Sequence, residues 1–198
     1  MDGVLTDGRL WFGARGEAFK AFHVRDGQGI KALQAAGVHV AVLSGRRSPA
    51  VRARCRELGI RRLIQGSADK LADFTRLARR LRLGAEQCAC IGDDVPDVPL
   101  MQAVGLAFAV ADAHAEARAA AHRVTRLPGG QGAVREVCDL LLARMRAVKQ
   151  SRHRAAEQSP AHAVGQSRQR AAGQSRQRAG RMQSRRTEAS VGPGKARP

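Results

Sequence analysis

Short, largely apolar runs alternate with longer amphipathic segments along the first 148 residues of the chain. The apolar runs span residues 38–43, 88–91 and 106–110, and a Ser, Gly or Asp follows each within two positions. Apolar runs of this length, bounded by turn-forming residues, predict buried β-strands. Residues 63–64 are a shorter candidate for a fourth strand.

Segments with helical spacing and length separate the apolar runs. They span residues 29–36, 49–58, 70–83 and 114–122, and a last helix is predicted at about 133–148. Gly37, Gly59 and Gly84 follow three of them, at a position where the left-handed conformation favours glycine. Strands that alternate with helices predict an α/β fold with a single Rossmann-like parallel sheet and helices on both faces.

The segment 10–22 has a different pattern, in which two apolar arms surround a glycine-rich turn. The arms are Trp11-Phe12 and Phe19-Lys20-Ala21-Phe22, and Gly13-Ala14-Arg15-Gly16 separates them. This pattern predicts a β-hairpin, which would form a flap beside the sheet.

Composition limits the classes of protein to which the chain can belong. With 198 residues, 43% of them hydrophobic, it can form one domain with a sizeable core. Aromatic residues make up only 3% and Tyr is absent, so the core must consist of Val, Leu, Ile and Ala. No apolar run approaches the ~20 residues of a membrane span and no signal segment opens the sequence, so we expect a cytoplasmic protein with no membrane partner. Its four cysteines are expected to be buried, reduced thiols.

Much of the net charge of +18 lies in the last fifty residues. Residues 149–198 contain twelve Lys and Arg against Glu157 and Glu188, a net charge of +10, and repeat Gly-Gln-Ser-Arg-Gln-Arg-Ala at 165–171 and 173–179. Such a segment buries too little apolar surface to fold, which predicts one folded domain at 1–148 and a disordered tail at 149–198. A solvated extension is the favoured interpretation, because no aromatic residues are interleaved for stacking on nucleic-acid bases.

Polar residues that follow the predicted strands indicate chemistry at one edge of the sheet. Ser44-Gly45-Arg46 follows the strand at 38–43, and Asp93-Asp94 follows the strand at 88–91. Asp2 lies at the start of the chain, and Lys70 begins a helix. Carboxylates for a hard cation, with a hydroxyl and a lysine for phosphoryl oxygens, predict a Mg²⁺-dependent phosphoryl site.

These motifs together resemble those of the haloacid-dehalogenase-like phosphatases. The matching residues are Asp2-Gly3-Val4-Leu5-Thr6-Asp7-Gly8, Ser44-Gly45-Arg46, Lys70 and Gly92-Asp93-Asp94-Val95-Pro96-Asp97. More narrowly, His23-Val24-Arg25-Asp26-Gly27, Gly45-Arg46-Arg47-Ser48 and the segment 129–136 resemble 3-deoxy-D-manno-octulosonate 8-phosphate phosphatases. The resemblance covers about residues 1–148 and implies a phosphomonoesterase that forms the free sugar acid for lipopolysaccharide synthesis.

The first motif departs from the family pattern Asp-x-Asp-Gly-x-x-x-Asp. Asp2 aligns with the second aspartate, so the first, which is the family's nucleophile, would precede Met1. Two explanations stay open: a translation start placed too late, or a truncated and inactive product. Without the central strand that carries this aspartate, we expect unpaired backbone and exposed apolar surface on both neighbouring strands.

The resemblance implies a role for each matching residue. Asp2 would be general acid and base and, with Asp93, would bind Mg²⁺, while Ser44 and Lys70 would hold the phosphoryl group. The implied substrate contacts are Asp2, His23, Val24, Arg25, Asp26, Gly27, Lys31, Arg46, Arg54 and Lys70.

The family also implies an assembly, since its members have no large cap domain. The resemblance implies a homotetramer in which the hairpins form a barrel and a neighbour's C-terminal segment, here 129–136 with Arg135, closes the site. Trp11, Phe12, Phe19 and Phe22 would then be exposed on a single chain.

Three other functions stay open at this point. One is a catalytically inactive scaffold or regulator with the same fold, which the missing aspartate suggests. Another is a phosphatase of a related nonulosonate 9-phosphate. The least favoured is a nucleic-acid-binding protein that acts through its basic tail.

Overall fold

The predicted alternation of strands and helices is confirmed in the computed structural model, which describes residues 1–157. Its strands are β1 (Trp11–Gly13), β2 (Gly16–Phe19), β3 (Ala41–Ser44), β4 (Arg62–Gln65), β5 (Ala89–Gly92), β6 (Leu106–Ala109) and β7 (Arg123–Val124). Its helices are α1 (Val24–Ala35), α2 (Pro49–Glu57), α3 (Lys70–Leu81), α4 (Val98–Ala103), α5 (Ala115–Ala120) and α6 (Ala133–Glu157). The fold is therefore α/β, and in residues 1–157 the segment before α1 contains the β1–β2 hairpin rather than a cap domain.

The parallel strands form two hydrogen-bonded groups rather than the one continuous sheet that we predicted. β3 pairs with β4, and β5 pairs with β6, which pairs with β7. In the described residues β3 and β5 each have one paired edge, because residues 1–5 form turns, with the Leu5 N–H donating to the Met1 carbonyl at 2.9 Å. The unpaired backbone expected on two strands is thus confirmed, whereas Val42 of β3 is buried rather than exposed.

The predicted hairpin is confirmed as the antiparallel pair β1 and β2. The Trp11 and Phe19 rings stack with their centroids 5.1 Å apart. Trp11, Phe12 and Phe19 are 45%, 65% and 54% exposed, as expected for a single chain. The expectation for Phe22 is wrong: it packs against the core, with the Arg54 guanidinium 5.8 Å above its ring.

The core is aliphatic, as the composition predicts. Met101 of α4, Val51 of α2 and Ala107, Ala109 and Val110 around β6 are almost completely buried. Phe108 of β6 is an exception to the aliphatic composition of the core, because it is a buried aromatic side chain. Layers of helix and sheet therefore close around small and branched side chains.

Two helices extend beyond their predicted limits. α1 begins at Val24, five residues early, with His23 as its N-cap: the imidazole Nδ1 accepts the Arg25 N–H at 3.2 Å. α6 continues from the predicted end at 148 to Glu157, since no Gly or Pro interrupts residues 149–157. The rest of the predicted tail, residues 158–198, lies outside the described residues. None of the helices in the described part is long and apolar enough to cross a membrane.

Candidate active site

The loop that carries Asp2 lies directly against Asp93. Gly3 has a φ of +72°, and a Cβ at this position would lie 2.0 Å from the Asp93 Oδ2 atom. Only glycine allows both the left-handed backbone and this close approach. Asp93 follows the last residue of β5, so the first and fourth motifs meet at the carboxyl end of a parallel strand, as predicted.

Asp97 connects Lys70 to the turn that contains Asp93. The Lys70 Nζ lies 2.6 Å from Asp97 Oδ1, and Asp97 Oδ2 accepts the N–H groups of Asp93 and Asp94 at 3.2 and 3.4 Å. Lys70 is the first residue of α3, where the Asp69 carboxylate caps the helix by accepting the Ala72 N–H at 2.9 Å. The capped helix start therefore directs the ammonium group toward the acidic turn.

Ser44 shapes the turn that follows β3. Its side chain is buried, its Oγ accepts the Arg46 N–H at 3.3 Å, and its carbonyl accepts the Ser67 N–H at 3.0 Å. Arg46 then reaches back to the first loop, with its Nε 3.6 Å from Asp2 Oδ2. The structure thus joins Ser44, Asp2, Asp93 and Lys70 through a continuous set of neighbouring residues.

A buried lysine that the sequence analysis did not assign completes this set. Lys20, one residue after β2, has a side chain that is only 1% exposed, and its Nζ lies 2.9 Å from Asp2 Oδ1 and 3.3 Å from Glu17 Oε2. The Ser48 hydroxyl donates to Glu17 in a short hydrogen bond. The available signal was a charged residue inside the otherwise apolar arm Phe19–Phe22.

The surroundings of the Asp93 carboxyl shift its pKa. Its pKa is raised to about 6, chiefly by burial and also by the neighbouring Asp97 and Asp94 carboxylates, while the Met1 ammonium and Lys70 act in the opposite direction. Among the described residues no Lys or Arg forms an ion pair with Asp93 within 4 Å. The buried carboxylate therefore lacks a direct counter-charge from a side chain.

We expect this raised pKa to give the protein a pH-dependent stability. Between pH 3.8 and about 6 the folded chain holds a proton on Asp93 that the unfolded chain has lost, so the free energy of unfolding falls as pH rises through this range. Because Asp93 is only partly buried and solvent screens its charge, the loss is on the order of 1 kcal/mol. Urea unfolding at several pH values should show Asp93→Asn gaining stability over the parent as pH rises from 4 to 7; parallel pH profiles would contradict the assignment.

The residues present fit a Mg²⁺ ion with few protein ligands. No group of three or more His, Cys, Asp or Glu side chains in residues 1–157 forms a ready-made metal cage. Mg²⁺ needs none, because it commonly keeps several waters and binds one or two carboxylates together with substrate phosphate. The uncompensated Asp93 carboxylate, with the backbone of the Asp2 loop packed against it, provides that minimal set.

The predicted substrate contacts around α1 have different surroundings. Val24 is 79% exposed, and Arg25 and Lys31 are exposed as well. Gly27 is buried under Arg54: a Cβ on it would lie 2.5 Å from the Arg54 Nη2 atom. Arg54 itself pairs with Glu57 at 2.8 Å. None of these residues is joined to Asp2 or Asp93 by a hydrogen bond or ion pair in the described chain.

Asp26 has a clear role inside the chain. It is 1% exposed, and its Oδ1 accepts the Arg135 N–H at 2.8 Å, which caps the first turn of α6. Burial raises the pKa of Asp26, although the Arg135 N–H opposes the change. Asp26 therefore joins the start of α1 to the start of α6, and its contact with substrate stays a prediction.

A second concave region lies apart from the acidic turn. A cavity of about 660 Å³ opens among β7, α6 and the start of α1 and includes Arg25, Arg123, Arg126 and Arg135 in its lining. Asp2, Ser44, Lys70 and Asp93 do not line it. The predicted anion contacts therefore fall into two groups in a single chain, with Arg46 beside Asp2 and Arg25 in this cavity.

The segment 129–136 packs against the loop after Asp2 in the same chain. A Cβ at Gly129 would lie 1.7 Å from the Gly3 carbonyl oxygen, and the Gly130 N–H donates to the Val4 carbonyl at 2.9 Å. Its glycines thus permit close approach within one chain, which the sequence analysis had expected toward a neighbour. Closure of a neighbouring site stays a prediction.

Comparison with known proteins places this geometry in a family. Residues 60–135 match the sequence profile of haloacid dehalogenase-like hydrolases. The chain is 50% identical over 142 residues to the 3-deoxy-D-manno-octulosonate 8-phosphate phosphatase of Yersinia pestis, which covers 72% of the chain and 76% of the relative. The crystal structure of that enzyme aligns with a TM-score of 0.71 over 72% of this chain and 77% of the other.

A further solved structure contains ligands. It is the 3-deoxy-D-manno-octulosonate 8-phosphate phosphatase of Moraxella catarrhalis in complex with a magnesium ion, a phosphate ion and a KDO molecule. It is 40% identical, with a TM-score of 0.71 over 72% of this chain and 82% of the other. Sequence identity and fold thus agree with the motifs at the strand ends: the chain belongs to the haloacid dehalogenase-like hydrolases and, within them, to the 3-deoxy-D-manno-octulosonate 8-phosphate phosphatase family.

Proposed function

We propose that this chain carries the site of a Mg²⁺-dependent phosphomonoesterase that hydrolyses 3-deoxy-D-manno-octulosonate 8-phosphate to the free sugar acid and phosphate. The observation that carries the proposal is the approach of Gly3 to Asp93, which brings the Asp2 loop beside the Lys70–Asp97 pair. The magnesium, phosphate and KDO bound to the Moraxella catarrhalis relative match the chemistry of these residues.

The chain's own side chains hold the phosphoryl group and offset its charge. The Lys70 ammonium, fixed by Asp97, and the Ser44 hydroxyl with the following Gly45 N–H are donors for phosphoryl oxygens. Asp93, with the backbone carbonyl of Asp2, would bind Mg²⁺, which supplies further positive charge opposite the phosphoryl oxygens when it is bound. These groups favour the transition state of phosphoryl transfer mainly by position and charge.

Asp2 would be the group that transfers protons to and from the reacting oxygens. Its Oδ2 faces Arg46, whose side chain is 46% exposed, so this carboxylate oxygen lies on the open side of the loop. Asp2 would donate a proton to the oxygen of the leaving sugar and later accept one from the attacking water. Arg46 lies where it can contact either the leaving group or the substrate's carboxylate.

The decisive experiment restores the family's aspartate pair. The chain is preceded by the N-terminal strand of the Yersinia pestis relative, ending in an aspartate before Met1; this protein is called the extended chain below. We expect it to release phosphate from 3-deoxy-D-manno-octulosonate 8-phosphate with a higher kcat/KM than from generic phosphomonoesters, and the chain that begins at Met1 serves as the comparison.

Each other outcome corresponds to another function. Faster hydrolysis of a nonulosonate 9-phosphate would reassign the substrate. An extended chain that folds, binds Mg²⁺ and hydrolyses none of these esters would favour the inactive scaffold.

Magnesium should stabilise the chain through Asp93. At ten times its dissociation constant, Mg²⁺ is expected to raise the free energy of unfolding by about 1.4 kcal/mol. Thermal unfolding with and without Mg²⁺ checks this, and Asp93→Asn should remove the effect. Glu116→Gln, which changes an exposed carboxylate on α5, should keep it. Equal stabilisation of the Asp93→Asn variant would place the ion elsewhere.

We also propose that the chain assembles through its hairpin as a homotetramer in the cytoplasm. The exposed Trp11, Phe12 and Phe19 support an interface on this face, since apolar side chains grouped on a surface commonly mark one. Phe12→Ser combined with Phe19→Ser should shift the mass measured by light scattering toward that of a single chain. An unchanged mass would place the interface on another face.

A further inference from the structure

Lys20 is an unusual residue for its position in the fold. Lysine is almost never fully buried unless it is paired, yet the Lys20 side chain is 1% exposed at the base of the hairpin. Its Nζ lies 2.9 Å from Asp2 Oδ1 and 3.3 Å from Glu17 Oε2. Burying a charge is costly, so the two carboxylates are needed to hold the ammonium in place.

The two carboxylate oxygens of Asp2 have different neighbours. Oδ1 faces the buried ammonium of Lys20, whereas Oδ2 faces the half-exposed Arg46 at 3.6 Å. Lys20 reaches Asp2 from inside the protein and has no exposed surface from which to contact a substrate. Its contact with Oδ1 fixes the carboxylate rotamer and leaves Oδ2 on the accessible side.

Glu17 connects this arrangement to a second element of the fold. One of its oxygens pairs with Lys20 and the other accepts the hydroxyl of Ser48, the N-cap residue of α2. With Asp2 as a carboxylate, the charges of Lys20, Glu17, Asp2 and the half-exposed Arg46 sum to zero. Through Glu17 and Ser48, Lys20 is therefore connected to both the hairpin and α2.

We propose that Lys20 is a positioning residue that holds Asp2 Oδ1 so that Oδ2 exchanges the proton with the leaving sugar oxygen. The inference rests on the proposed phosphatase function and adds a residue to it. It also makes the hairpin part of the catalytic machinery, because β2 and the residue after it carry both members of the Glu17–Lys20 pair.

The test uses the leaving group as its readout. In the extended chain, Lys20→Met should lower kcat/KM for the sugar phosphate at least tenfold and change kcat/KM for p-nitrophenyl phosphate less than twofold. The value of kcat/KM reports the steps up to departure of the leaving group. The sugar alkoxide needs a proton from Asp2 at that point, whereas p-nitrophenolate leaves without one.

Matched variants separate positioning from folding. Lys20→Arg, which keeps the charge, should recover part of the sugar-phosphate activity, and Lys149→Met on the exposed face of α6 should leave both substrates unchanged. If Lys20→Met alone does not fold, Glu17→Gln with Lys20→Met replaces it, because that pair leaves fewer uncompensated carboxylates. Equal losses for both esters in a folded variant would overturn the inference alone. An extended chain inactive on both esters would overturn the proposed function, and this inference with it.

Discussion

Replacing Asp2 with asparagine should lower kcat/KM of the extended chain for 3-deoxy-D-manno-octulosonate 8-phosphate by about 10²- to 10⁴-fold. Asparagine has nearly the shape of aspartate, so the loop and its contact with Asp93 should survive, but it cannot donate a proton to the leaving oxygen. Because the variant also removes one of the two carboxylates beside buried Lys20, its stability is measured together with its activity. Phosphate release under steady-state conditions, with thermal unfolding of the same sample, measures both.

The leaving group again distinguishes the cause. The fall in kcat/KM for p-nitrophenyl phosphate should be much smaller, since its leaving group needs no proton. Glu116→Gln removes a carboxylate on the exposed face of α5 and should leave both values unchanged. An Asp2→Asn variant that keeps the parent's kcat/KM for the sugar phosphate would remove Asp2 from the reaction.

Gly129→Ala should destabilise the fold more than any other single methyl addition discussed here. The new Cβ would lie 1.7 Å from the Gly3 carbonyl oxygen and 3.1 Å from that of Thr6, both of which are backbone atoms that cannot rotate away. The loop would have to leave Gly3, breaking the bond from the Gly129 N–H to Asp112 Oδ1 at 2.9 Å. We expect a loss of about 2–3 kcal/mol in the free energy of unfolding, measured by urea denaturation.

Gly13→Ala is the matched control for this substitution. A Cβ on Gly13, in the hairpin, would meet only the Ala18 methyl, at 3.7 Å, which is an ordinary contact. Its φ lies outside the left-handed range, so alanine adds no backbone strain there. Stability within about 0.5 kcal/mol of the parent is expected. Equal effects at both positions would show that the Gly129 loop does not press on Gly3.

Local pattern was a good guide to where elements lie and a poorer guide to where they begin. The starts of α2 and α3 were predicted to the residue. In the structure Ser48 caps α2 and Pro49 follows it, while Asp69 caps α3 directly before Lys70. The first turn of α1 was missed, since two glycines in Val24–Gly29 conceal a helix. Packing of Gly27 under Arg54 and of Gly29 against Cys138 makes those glycines necessary there.

In the candidate site, too, local sequence patterns predicted some features and tertiary packing decided others. Ser44 and Asp93 were predicted because each follows a recognisable strand, and parallel topology brings such strand ends to one edge. Lys70 was predicted from its place at the start of a helix, and Asp2 from the motif at the start of the chain. Asp97 as the partner of Lys70 and Lys20 as the partner of Asp2 were not predicted. Those pairs join positions 27 and 18 residues apart, and no periodicity encodes which side chains will meet across such separations.

The sequence by itself determined the α/β class, the aliphatic core, the hairpin and the four motifs of the site, because short-range patterns of apolar residues, caps and glycines report local conformation. Only the tertiary structure decided that Asp26 supports α6, that β3 and β5 each keep one paired edge in the described chain, and that a buried lysine holds Asp2. Burial and charge pairing depend on the packing of distant segments, and their energies exist only once those segments are in contact.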